Sequence, residues 1–264
     1  YADIAQDTIA MAVNDLLTVG ATPLVVQAYW AAGGSEWFDD AARSAALVAG
    51  WRRACEQCGV AWGGGETPAL AGIVERGRVD LAAACTGIVS PKTRLTLGDH
   101  LAPGDAIVLL ASSGIHANGV SLARQVAERL PRGYRTPVPD SPVPIGFGDA
   151  LLVPTILYAP VTEALFRAGI RVRYAVNVTG HGWRKLMRHR ADLTYRIRRL
   201  PRSAAMGRRK RFARRRNLRP LPCIARKRHR LTHALLHAGH APRRAVRLRQ
   251  LRRLAEVEGV GPHH

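Results

Sequence analysis

The sequence predicts a mixed α/β (α+β) protein with two domains and a basic tail. Three observations carry that prediction. Apolar residues recur at helical spacing in some stretches and run as strands in others, with mostly short links between them. The 264 residues suffice for one large or two ordinary domains, and the 47% hydrophobic content is that of a globular chain. Pro91, Gly98, Pro103 and Gly104 cluster between 91 and 104, so domains are expected over 1–98 and 99–200.

The elements follow in order. Ile4, Ile9, Ala12, Leu16 and Leu17 recur at helical spacing, and Gly20 ends that helix with Asn14 and Asp15 near its last turn. Pro23 to Trp30 reads as a buried strand. Asp39 or Asp40 caps a long helix from Ala41 to Cys58, and Gly59 stops it. Val60 to Trp62 is a short strand that runs into a turn at Gly63–Gly65. Strands are expected at Val79 to Val89 and Ala106 to Ala111, and an amphipathic helix at Gly119 to Leu130. Residues 131–148 carry five prolines and three glycines, which makes them a surface loop. Leu151 to Ala168 reads as a helix interrupted by Pro154 and Pro160. Arg171 to Val178 alternates like a strand, and Thr179 to Gly182 turns into a further helix.

Charge is distributed unevenly. Residues 1–192 hold 18 Lys and Arg against 17 Asp and Glu, whereas residues 193–264 hold 22 against 2. The net charge of +21 therefore belongs to the tail, and the body is close to neutral. The stretch 201–264 is expected to be disordered, since its charges repel and its apolar content is low. Three readings stand for it: a frame change in a GC-rich gene, a natural disordered extension, or an arm that binds nucleic-acid phosphates without sequence preference. His229, His233 and His237 recur every four residues there and fit an exposed helix face better than a metal site.

Four cysteines do not make a disulfide scaffold, and Cys55-Glu56-Gln57-Cys58 is a lone CxxC that reads as a helix end with buried thiols. No run of about 18 apolar residues is present, so no membrane span is expected. The chain starts at Tyr1 inside an ongoing segment, and further sequence is expected before it.

Three stretches carry chemistry. Asn14-Asp15 lies at a helix end beside a glycine turn, and Gly63-Gly64-Gly65-Glu66-Thr67 places a carboxylate after three glycines. Mg²⁺ takes hard oxygen ligands and bridges phosphates, so Asp15 and Glu66 are the candidate metal carboxylates. Glycines at 64 and 65 would let a phosphate approach the backbone closely. The third stretch, Ser112 to Leu122, joins a strand to a helix. Ser112, Ser113, Gly114 and Asn118, with the free N–H groups of that helix start, suit a phosphate or ribose. His116 is placed to donate to a substrate or to shuttle a proton. Thr179-Gly180 is a second strand-to-helix turn of the same kind. Each feature has an ordinary structural reading beside it: a solvated helix terminus for Asp15, a loop residue for Glu66, simple capping for Ser112 and Asn118.

In this order the motifs resemble the aminoimidazole ribonucleotide synthetase (phosphoribosylformylglycinamidine cyclo-ligase) family. The likeness covers roughly residues 3–200 and includes Leu151-Leu152-x-Pro154-Thr155-x-x-Tyr158 and Asn177-Val178-Thr179-Gly180. It implies an N-terminal domain whose sheet pairs across a homodimer and a second α/β domain, here truncated. It implies an ATP- and Mg²⁺-dependent, cytoplasmic enzyme of purine synthesis acting on formylglycinamidine ribonucleotide. By that likeness Asp15, Glu66 and His116 are catalytic, and Asn14, Asp15, Gly64, Gly65 and Glu66 bind the nucleotide and its metal. Ser112, Ser113, Gly114, His116, Asn118, Thr179 and Gly180 bind substrate. Departures are His181, where the family often has glycine, and Pro68 to Gly72, where it commonly has a Met-Pro turn. The family's glycine- and lysine-containing ATP loop would lie upstream of the first helix, and its later C-terminal pattern is missing after about residue 200.

Overall fold

A computed structural model describes residues 1–139, 141 and 143–197, together with the backbone of 223–226. The expected disordered tail over 201–264, with His229, His233 and His237, otherwise lies outside the described residues. The described chain divides into two compact units, one of residues 1–99 and 112–179, the other of 100–111 and 180–197 with 223–226.

The first unit is built on a three-stranded sheet. Helix α1 (Ala2–Leu17) leads into strand β1 (Thr22–Ala32), and α2 (Ala41–Cys58) connects β1 to β2 (Ala61–Glu66). Strand β3 (Val79–Ile88) completes the order β2-β1-β3, parallel between β1 and β2 and antiparallel between β1 and β3. The β1-α2-β2 unit is parallel because a helix carries the chain back to the same sheet end. Asp40 caps α2 by accepting the Arg43 N–H at 2.9 Å, and Gly59 closes it in the left-handed conformation.

Ala5, Ile9, Val13 and Leu17 recur at one helical face of α1 and are all buried. They pack with Leu47, Trp51 and Ala54 of α2 onto Val26, Ala28 and Trp30 of β1. Fully burying side chains of this size contributes about 1.5–3 kcal/mol each. The rings of Trp30, Trp51 and Trp62 lie 5.3–6.1 Å apart at the β2 side of this core. Cys55 and Cys58 join the same core, and burial pushes their thiols up to about 11 and about 12. Both side chains pack in the core at the end of α2.

The opposite sheet face is open. Leu24 and Tyr29 of β1 and Ile88 of β3 are 49%, 39% and 51% exposed. Beyond β3, this unit continues with α3 (Val120–Arg129), the short α4 (Phe147–Leu151) and α5 (Ala159–Arg167).

The second unit contains a 3-10 turn over Gly182–Arg188 and a two-stranded antiparallel pair, β4 (Thr194–Ile197) with β5 (Cys223–Arg226). No described helix of either unit is long and apolar enough to cross a membrane.

Four expectations are corrected. Gly63 to Gly65 lie within β2, where Gly65 pairs with Ala28. Residues 106–111 form no strand, because nothing among the described residues offers them a ladder. Residues 171–178 make one isolated bridge, Tyr174 with Leu97, for the same reason. Leu151 to Ala168 is not one helix: α4 ends at Leu151, bends at 152 and 153 and an irregular stretch over 154–158 follow, and Pro160 lies in the first turn of α5.

Candidate active site

The site is an open recess in the first unit, where α1 meets three later segments. Met11, Asn14 and Asp15 come from the last turns of α1, and His116 and Asn118 from the loop before α3. Thr155, Asn177 and Thr179 close it.

Asp15 sits at the end of α1 where the helix dipole disfavours a carboxylate, a cost of roughly 0.3–1 kcal/mol. It is exposed to the recess, and the Asn177 side chain donates to its Oδ1 at 2.9 Å. A negative group kept where the backbone opposes it marks a functional position more than a structural one.

Asn14 is buried, and both ends of its amide are committed. Its Nδ2 donates to the Ile156 carbonyl at 2.9 Å, and its Oδ1 accepts the Tyr158 N–H at 3.1 Å. It clips the segment 156–158 to α1, a duty not assigned to it from the sequence.

The His116 loop is strained. His116 and Ala117 have φ of 51° and 53°, a region that costs side chains roughly 1–2 kcal/mol each, and Gly119 follows at 72°. Local bonds hold it there. The Ser113 N–H donates to His116 Nε2 at 2.9 Å, the Ser113 hydroxyl stands 2.8 Å from the same atom, and Asn118 Nδ2 donates to the His116 carbonyl at 2.6 Å. The Ile156 N–H points at Nε2 from 3.5 Å. A backbone N–H can only donate, so these partners assign Nε2 as an acceptor and place the ring proton on Nδ1. Burial lowers the His116 pKa below its ordinary 6.5, against a smaller pull from the Asp7 carboxylate. The neutral imidazole is thus the form this loop is built around. With Nε2 an acceptor, the Ser113 hydroxyl shares its one proton between that atom at 2.8 Å and the Pro154 carbonyl at 2.6 Å, so Ser113 orients His116 and the 154–156 segment.

Asp7, Thr155 and Asn177 received no role from the sequence. Asp7 Oδ1 accepts from the Thr155 N–H at 2.8 Å and from its hydroxyl at 2.5 Å. Asp7 and Asn14 are seven residues apart, hence on one face of α1.

The structure does not bring every candidate together. Gly64, Gly65 and Glu66 lie on β2, outside the recess lining, and Glu66 pairs with Tyr29 at the strand end. The sheet itself requires Gly65, because a Cβ there would stand 2.1 Å from the Ala28 carbonyl oxygen. Gly114 lies near the 150–153 backbone, Ser112 is outside the recess lining, and Gly180 belongs to the second unit. Among the described residues no group of three His, Cys, Asp or Glu side chains is placed to hold a metal ion. One exposed carboxylate, Asp15, still fits Mg²⁺, which commonly takes one or two carboxylates and completes its shell with phosphates and water.

Comparison with known proteins agrees with the motif order. Residues 1–89 match the family described as "AIR synthase related protein, N-terminal domain", and residues 102–187 match its C-terminal domain. Phosphoribosylformylglycinamidine cyclo-ligase of Myxococcus xanthus is 39% identical over 190 residues, 69% of this chain and 51% of that protein. The Sorangium cellulosum protein of the same name is 41% identical over 182 residues, 68% of this chain and 50% of that one. The human trifunctional purine biosynthetic protein adenosine-3 is 36% identical over 179 residues, 68% of this chain and 17% of its own length. The chain spans about half the length of the curated cyclo-ligases it matches. A crystal structure of thiamine monophosphate kinase from Aquifex aeolicus aligns over 34% of this chain and 27% of its own, with 15% identity and a TM-score of 0.27, and carries no argument.

Proposed function

The chain belongs to the AIR synthase related family, and on that premise we propose that it takes part in the ATP-dependent cyclisation of formylglycinamidine ribonucleotide to aminoimidazole ribonucleotide in purine synthesis. The observation that carries this reading is the recess itself. It gathers a carboxylate, an imidazole and an amide from positions 15, 116 and 118, with Thr179, and these are the motif residues that resemble the family.

In the proposed reaction the formyl amide oxygen is phosphorylated from ATP, and an amidine-side nitrogen then closes the imidazole ring with loss of phosphate. Mg²⁺, held by Asp15, would neutralise phosphate charge. Ring closure is intramolecular, so the residues mainly position groups and stabilise charge. Asn118 and Thr179 line the recess with groups able to bond phosphate or ribose oxygens. The neutral His116 ring meets the substrate at a fixed orientation. Glu66, on the exposed β2, would act toward the nucleotide or its metal from outside the recess, with Gly64 beside it. The partner that suits the open sheet face is a second copy of this chain, and the cytoplasm is the location that accompanies this reading.

The test is ADP release by the purified chain with ATP, Mg²⁺ and formylglycinamidine ribonucleotide. Release should depend on both substrate and metal, and Asp15→Asn should lower it by a hundredfold or so, the scale of one lost electrostatic contact. ATP turnover that ignores the substrate, or an Asp15→Asn rate equal to the parent, would overturn the assignment.

A further inference from the structure

We propose that Asp7 is a positioning residue for His116, acting through Thr155 and the segment on either side of it. The proposal rests on the reading above, in which His116 faces the substrate.

Asp7 is only 9% exposed, in the middle of α1. A buried carboxylate is expensive unless its oxygens are well bonded, so its presence needs a reason. Its Oδ1 takes both donors of Thr155, the N–H and the hydroxyl. Gln6 Nε2 holds the Thr155 carbonyl at 2.9 Å, so neighbouring α1 side chains grip this one residue from its N–H, its hydroxyl and its carbonyl.

The residues flanking Thr155 reach the histidine. On one side the Pro154 carbonyl accepts the Ser113 hydroxyl, and Ser113 lies against Nε2. On the other the Ile156 N–H points at Nε2. Asn14 pins the far end of the segment. Side chains of α1 thereby fix where the 154–156 backbone lies, and that backbone fixes Ser113 and the acceptor atom of His116. Asp7 bonds to Thr155 and makes no hydrogen bond to the imidazole, so apart from its electrostatic pull on the ring it positions His116 through that segment.

The experiment is long-range ¹H–¹⁵N spectroscopy at pH 8 on the full chain labelled at histidine, with His116 assigned by its loss in His116→Gln. The parent should show a single His116 tautomer with Nδ1 protonated and Nε2 bare. Asp7→Ala should give a mixed or reversed tautomer, and Asp7→Asn, which keeps an acceptor oxygen at Oδ1, should restore the parent signature. If Asp7→Ala does not fold, Thr155→Val, which loses only the hydroxyl bond, is read for the same tautomer change. Where the chain releases ADP, Asp7→Ala should lower kcat by about tenfold or more and leave KM within about threefold, since misplacing a reacting group by an ångström costs up to ~100-fold. An unchanged tautomer in the removal variant overturns the proposal, and so does an Asp7→Asn spectrum identical to that of Asp7→Ala. The spectra decide this whether or not the cyclisation assignment holds.

Discussion

His116 is stored neutral, and that has a consequence for stability in acid. Burial lowers its folded pKa below the ordinary 6.5, so on acidification the unfolded chain takes up this proton before the folded one does. The bound-proton difference makes stability fall as pH drops from about 6.5 toward the lowered value. Asp7 works in the opposite sense, because burial raises its carboxyl above 3.8 and favours the protonated form in the fold. The two are separated by comparison. Urea midpoints at pH 7.5 and 5.5 should fall more steeply for the parent than for His116→Gln, and equal slopes would contradict the neutral-imidazole assignment. At this scale the sequence offered candidate residues but not how they are held. His116, Asp15, Asn118, Thr155 and Asn177 were legible as motif members, whereas Asp7 was not, and the pairings of Asp7 with Thr155 and of Asp15 with Asn177 span 148 and 162 residues. Such pairings leave no local pattern.

Strand β2 shows how tertiary packing overrides local signals. Three consecutive glycines read as a turn, yet they run as a strand paired with β1, whose backbone at Ala28 comes too close to Gly65 for a side chain there. Gly59 provides the contrast: it needs only its left-handed conformation, since a Cβ added there would meet nothing within 4 Å. Gly59→Ala should therefore cost about 1 kcal/mol, the conformational penalty alone. Gly65→Ala should cost about 2–4 kcal/mol, because steric overlap with Ala28 adds to it. Denaturant midpoints of the two variants check this, and equal losses would show that the β1–β2 contact yields easily. Helices were the easier elements to foresee. The α2 limits followed from Asp40 and Gly59, whose capping roles are local. The strands foreseen at 106–111 and 171–178 have no ladder among the described residues, and a strand exists only with its neighbour.

On the scale of the molecule, the open sheet face is the feature that calls for a partner. Leu24, Tyr29 and Ile88 present apolar surface on the side away from α1 and α2. If a second copy covers it, the parent should sediment as a dimer at micromolar concentration, and Tyr29→Glu combined with Leu24→Lys should sediment as a monomer. A monomeric parent, or a dimeric double variant, would remove this face from consideration. Within the first unit, Arg94 and Glu163 meet at 2.6 Å and Thr22 donates to the same Glu163 oxygen at 2.7 Å, tying β1 to α5 across the sequence. The same long reach governs when the recess can exist. Its clasps join Gln6, Asp7, Asn14 and Asp15 to residues 155–177, and closing loops of that length is slow compared with forming a helix. At a synthesis rate of about 5–20 residues per second, Asp7 precedes Thr155 on the ribosome by roughly 7–30 s. The sheet strands are complete by residue 88, well before then. A nascent or prematurely terminated chain can thus own its sheet and most of its hydrophobic core, lacking Leu157 and Ala159, while the polar face of α1 still waits in water for the segment that turns it into a site.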